Sequence, residues 1–102
     1  MLPNKRNQYY VNDDVTFRGV FKIDGEEQTP DPGTCLVTIM KEETSTPIVD
    51  NAAGDIAGQQ LRYQFANMPV GRYAIFLTAK YNNGADERTG VIEFIVKNKE
   101  AN

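Results

Sequence analysis

The sequence predicts an all-β fold of about seven strands in one domain, and three observations carry that expectation. Val, Ile and Thr supply 23 of the 102 residues, against four Leu; β-branched side chains lose rotamer freedom on a helix yet pack well on a pleated surface. Several stretches alternate apolar and polar side chains with a period of two, the mark of a strand with one face buried. Eight Gly and five Pro gather mostly between those stretches, where they supply turns. A chain of this length buries roughly two-thirds of its unfolded surface, enough for one modest core without staples.

The elements follow in order. Residues 1–8 are polar, include Pro3 and read as a flexible N-terminal arm ahead of a domain over 9–97. Gln8-Tyr9-Tyr10-Val11 is a short first strand, punctuated by Asp13-Asp14. From Val15 to Ile23 the pattern places Val15, Phe17, Phe21 and Ile23 inward and Thr16, Arg18 and Lys22 outward, with Val20 the exception. Asp24-Gly25 ends that strand, and 26–33, with Pro30 and Pro32, reads as a loop. Thr34 to Lys41 is apolar on both faces. A polar connection over 42–47 leads to a brief edge strand at Ile48-Val49, and 51–58, with two Gly, reads as loop rather than helix.

Gln60 to Phe65 alternates again, with Leu61, Tyr63 and Phe65 inward. Arg72 to Tyr81 is the longest strand, its inward face formed by Tyr73, Ile75, Leu77, Ala79 and Tyr81. Asn82-Asn83-Gly84 is a turn, because Asn and Gly tolerate positive φ. Thr89 to Lys97 closes the domain with Ile92, Phe94 and Val96 inward, and 98–102 is a polar tail. Short strands separated by turn clusters are the layout of a β-sandwich.

Composition excludes several functions. The chain has one Cys and no His, so it forms no intramolecular disulfide, no paired-Cys zinc site, no His-ligated metal site and no His-based catalytic triad. Net charge is −3, with −4 in the first half and +1 in the second. Neither half has the positive density that phosphate neutralisation needs, which argues against a nucleic-acid partner. No apolar stretch approaches the ~18–20 residues of a membrane span. The basic start, Lys5-Arg6, is followed by no hydrophobic run and so does not read as a signal peptide. The chain is expected either to stay where it is made and assemble there, or to be a module of a longer secreted chain.

The stretch Val70-Gly71-Arg72-Tyr73-Ala74-Ile75-Phe76-Leu77 resembles the corner of an immunoglobulin-like sandwich. There a Tyr near the start of strand F bonds back to upstream backbone. Gly71 stands two residues before Tyr73, and Ile75 two after, where an antibody domain has its second Cys. The layout over about 8–97 is similar to that of disulfide-free bacterial and phage immunoglobulin-like modules. The core Trp of antibody domains is missing, and Cys35 alone cannot make their intersheet disulfide. The resemblance implies an immunoglobulin-like antiparallel β-sandwich of about seven strands. It further implies a non-catalytic structural module of a phage virion (decoration, head–tail joining or tail), made in the host cytoplasm. The alternative it offers is a ligand- or carbohydrate-binding module of a bacterial cell-surface protein.

The acidic clusters Asp13-Asp14, Asp24/Glu26/Glu27, Asp31 and Asp86-Glu87 could converge on Ca²⁺, but they lack EF-hand spacing and read as solvated turns. Nothing places two carboxylates across a cleft for glycoside hydrolysis. Cys35 reads as a small buried hydrophobe. Tyr9 and Tyr10 are adjacent on a strand and so point to opposite faces, a poor sugar-stacking platform. No catalytic residue, metal site or cofactor is expected.

The outer face of the strands corresponding to C, F and G is more informative. With Cys35, Val37 and Ile39 inward on the 34–41 strand and the other inward sets as above, Leu36, Met40, Phe76, Val91 and Ile95 point outward together, whereas Thr16, Arg18, Lys22, Arg62 and Gln64 make the opposite outer face polar. Contiguous exposed apolar area marks a partner surface. The expectation is docking or self-association through those five residues, against the simpler alternative that the arm or the 42–58 segment covers them.

Overall fold

A computed structural model describes residues 7–11, 13–44, 46–66 and 68–98. Those residues form ten strands and no helix: β1 (Asn7–Tyr10), β2 (Asp14–Gly19), β3 (Lys22–Ile23), β4 (Glu26–Glu27), β5 (Leu36–Lys41), β6 (Pro47–Ala53), β7 (Asp55–Ala57), β8 (Gln60–Ala66), β9 (Gly71–Tyr81) and β10 (Asp86–Lys97). One sheet has the order β1-β10-β9-β5-β6 and another β2-β8-β7, while β3 and β4 form a separate hairpin. All pairings are antiparallel except β1 with β10, which is parallel.

The two larger sheets close on one core. Val37 and Ile39 on β5, Tyr73 to Tyr81 at alternate positions on β9, and Phe94 and Val96 on β10 face Phe17 on β2 and Leu61 on β8; all are buried. Phe17 meets Phe94 across the layers at 4.8 Å between ring centroids and Tyr9 edge-on at 5.8 Å. Tyr73 stacks on Phe94 at 5.2 Å. These aromatic contacts tie β1, β2, β9 and β10 together, each adding about 0.5–1.5 kcal/mol beyond burial. The alternation read from sequence in β8, β9 and β10 is the alternation observed, because period two leaves only one way to bury those side chains; on β5, apolar on both faces, Val37 and Ile39 are the buried set.

Several boundaries differ from expectation. Asn7, assigned above to the arm, lies in β1 beside Phe94, one residue ahead of the expected start of that strand at Gln8; the rest of the arm, 1–6, and positions 99–102 of the tail lie outside the described residues. The expected continuous strand 15–23 breaks at Val20 and Phe21, where the Phe21 ring crosses to pack on Gly90 of β10. Val20, the exception in the alternation, marks that break. Glu26–Glu27, expected as loop, pairs with Lys22–Ile23 through Asp24-Gly25, both at positive φ (53° and 84°), as tight two-residue hairpins require. The last strand starts at Asp86 rather than Thr89, since the turn is only Asn82 to Ala85.

The largest difference is the segment 48–58. It is neither a brief edge strand nor a loop: β6 runs over seven residues, and the chain passes through Gly54 alone into β7 on the other sheet. The Gly54 N–H donates to the Cys35 carbonyl at 2.9 Å. A Cβ at Gly54 would stand 2.6 Å from the Cys35 sulfur and 3.0 Å from Val37 Cγ2. The glycine counted as a loop signal is in fact the corner that lets one run of chain serve both sheets.

Candidate protein-docking face

The sheet order brings β10, β9 and β5 side by side, and their register fixes which outward side chains meet. Val91 lies opposite Phe76, and Phe76 opposite Thr38; Met40 lies opposite Ala74, and Leu36 opposite Thr78. Val91 is 53% exposed and Leu36 39%, while Phe76, Met40 and Ile95 are half-buried among their neighbours. Four of the five expected residues, Leu36, Met40, Phe76 and Val91, thus form one band around Thr38 and Ala74. Ile95 is set apart, opposite Gln8 and Arg72 and separated from Val91 along the strand by Glu93.

Two polar features border the band. Thr78 and Thr89 pair through their hydroxyls at 2.9 Å across β9 and β10. At the other end the Lys41–Thr44 turn stands over the sheet, held by the Glu42 N–H donating to the Arg72 carbonyl (2.8 Å) and the Thr44 hydroxyl donating to the Lys41 carbonyl (2.9 Å). Glu43 sits at φ 78° in this turn. Beneath it lies an open hollow of about 330 Å³, lined by Met40, Phe76 and Ala74 and rimmed by Arg72, Glu42 and Glu93. The face therefore joins an apolar floor to a charged rim, the layout of protein interfaces.

Ile48 on β6, 45% exposed, adds an exposed apolar side chain to the same sheet and was missed. Its signal was the unusual apolar pair Ile48-Val49, of which only Val49 packs on the core. Of the segment 42–58, considered above as a cover for the band, 47–53 extends the sheet sideways as β6 and 55–57 joins the other sheet as β7, whereas 42–44 overhangs the Met40 end of the band. On the other sheet, Arg18, Arg62 and Gln64 are exposed and Thr16 is half-buried. Lys22 is exposed too, but it belongs to the β3–β4 hairpin and not to that sheet.

Several of the remaining candidates have structural roles. The Asp31 carboxylate accepts the Gly84 N–H at 2.7 Å and the Asn83 N–H at 3.2 Å, pinning the 28–34 loop to the β9–β10 turn. Asp13 accepts the Tyr10 N–H at 2.8 Å, and Asp86 the Asn82 amide at 2.8 Å. Among the described residues no three metal-binding side chains converge. Cys35 is buried, and burial first, with nearby Asp55 second, pushes its thiol pKa up despite the opposing hydrogen bond from the Gly54 backbone; a thiol so placed is a poor nucleophile. Tyr9 packs on the core while neighbouring Tyr10 is 47% exposed, so the two build no stacking platform. Tyr73 is buried, and its hydroxyl donates to the Pro69 carbonyl at 2.5 Å. Gly71 leaves room for the Lys41 stem, which a Cβ would meet at 2.7 Å.

No helix among the described residues is long and apolar enough to cross a membrane. Comparison of the chain with protein-family models, with curated proteins and with solved structures yields no match.

Proposed function

We propose that the chain is an immunoglobulin-like, non-catalytic assembly module that docks a protein partner through the outer face of β10, β9 and β5. The fold assignment is supported by five- and three-stranded sheets sharing one core, by a first strand parallel to the last, and by the Tyr73–Pro69 corner at the start of β9. One observation carries the docking assignment. The band of Leu36, Met40, Phe76 and Val91 lies on one outer face, while the other sheet's outer face presents Arg18, Arg62 and Gln64. The more specific reading, a phage virion component for decoration, head–tail joining or the tail, rests on the resemblance of the 70–77 stretch to that class of module.

The test is co-purification of the tagged chain from its source cells, as wild type and with Phe76→Ser, Val91→Glu or Arg62→Glu. The two docking-face variants lose the partner and Arg62→Glu keeps it. Loss with Arg62→Glu alone, or the same partner with all four proteins, contradicts the assignment.

A further inference from the structure

Strand β2 is an edge: among the described residues it pairs with β8 on one side and with nothing on the other. Its six residues, Asp14–Gly19, contain no proline, and its register with β8 is unbroken. Natural edges are blunted by such devices. The far edge of the other sheet has them: β6 starts with Pro47 and pairs through two register shifts. An edge without proline or a register shift is a template for another strand.

The charges along this edge are unbalanced in a particular way. Arg18 lies directly opposite Arg62, and Arg62 in turn opposite Asp55 on β7. Like charges facing across a sheet are destabilising. Arg62 has Asp55 beside it and turns its Nε to Gln60 at 2.6 Å, whereas Arg18 lies on the edge strand, with no strand on its other side among the described residues. The row reads acid, base, base, with the fourth place open.

We propose that β2 pairs antiparallel with β2 of a second copy of this chain, centred on Thr16, to form a continuous six-stranded sheet β7-β8-β2-β2-β8-β7. In that register Asp14 stands opposite Arg18 of the partner subunit, Val15 opposite its Phe17, and Thr16 opposite its own equivalent. Each arginine row then ends in an acid, twice over by the two-fold axis. Period two requires a register that keeps both cores on the same side of the joined sheet. Among such registers only the one centred on Thr16 sets Asp14 against Arg18; shifting the centre to Asp14 or Arg18 sets like charges face to face. This contact is separate from the outer face of β10, β9 and β5 and leaves that face free for another protein.

The test is a charge swap read by sedimentation equilibrium of the full chain up to about 500 μM, where weak but specific contacts are populated. Wild type forms dimers as concentration rises, less so at high salt. Arg18→Asp and Asp14→Arg each weaken dimerisation by about tenfold or more, because each sets like charges against each other twice. Arg18→Asp also places an acid opposite Arg62, so the fold is not at risk. The double variant Asp14→Arg/Arg18→Asp restores dimerisation to within about threefold of wild type, since both pairs are rebuilt with signs exchanged. Wild type that stays monomeric, single variants that dimerise like wild type, or a double variant as weak as the singles would overturn the proposal. Self-association lost with Phe76→Ser and kept in the charge variants would also overturn it while leaving the docking face in place.

Discussion

Gly54→Ala is the sharpest perturbation of the fold, because it adds one methyl where the chain passes from one sheet to the other. The new Cβ would stand 2.6 Å from the Cys35 sulfur, 3.0 Å from Val37 Cγ2 and 3.2 Å from the Arg62 carbonyl oxygen. Ordinary contacts of this kind lie at about 3.5–4.0 Å, so the sulfur must give by about 1 Å. Cys35 and Val37 are both buried and have little room to yield. Overpacking of this sort costs about 1–3 kcal/mol, offset by about 0.4–1 kcal/mol from the stiffer unfolded chain. A net loss of about 1–2 kcal/mol lowers the Tm by roughly 4–15 °C in a domain of this size. Urea unfolding at a constant m-value measures it. Cys35→Ala alone leaves a small cavity and costs about 1 kcal/mol. Combined with Gly54→Ala it removes the worst contact, so the double variant is more stable than the sum of the singles by about 1 kcal/mol. Gly54→Ala as stable as wild type, or strictly additive variants, would refute the corner packing.

Other expectations rest on single contacts. Tyr73→Phe removes the donor to the Pro69 carbonyl and costs about 1 kcal/mol in denaturant unfolding; an unchanged midpoint would deny the corner its role. Asp31→Ala removes the acceptor of two backbone N–H groups, so Asn83 and Gly84 amides exchange about tenfold faster while mid-strand amides of β9 do not. Burial raises the Cys35 thiol pKa, so the folded state keeps a proton that the unfolded chain releases. That contribution is full below the ordinary thiol value and is lost as pH rises through the folded value. Cys35→Ala therefore flattens part of the alkaline fall in stability, and a curve parallel to wild type would contradict this. In the native protein, alkylation of Cys35 tracks the unfolding equilibrium rather than thiol ionisation.

What the sequence made legible was the part governed by period two. The inward set on β9, from Tyr73 to Tyr81, follows from alternation alone, and the outward set of Phe76, Val91, Met40 and Leu36 follows once the inward one is fixed. Tyr73 was legible for a different reason: its distance from Gly71 fits a corner whose hydroxyl reaches back to Pro69. Where the chain changes sheets the pattern fails. Gly54 carries no alternation of its own, and its constraint comes from Cys35 and Val37, distant in sequence. The role of Asp31 depends likewise on a turn more than fifty positions away. Ile95 shares its face with Val91 by parity, but its isolation by Gln8, Arg72 and Glu93 depends on which strands lie beside it.

The docking face is tested most directly by site-specific photo-crosslinking in the source cells. A photoreactive residue replaces Val91, 53% exposed on the outer face of β10, or Gln64, exposed on the outer face of β8. The account predicts a discrete adduct to a protein other than this chain from position 91 and no such adduct from position 64. Such an adduct from position 64 alone, or equal adducts of this kind from both, would contradict it.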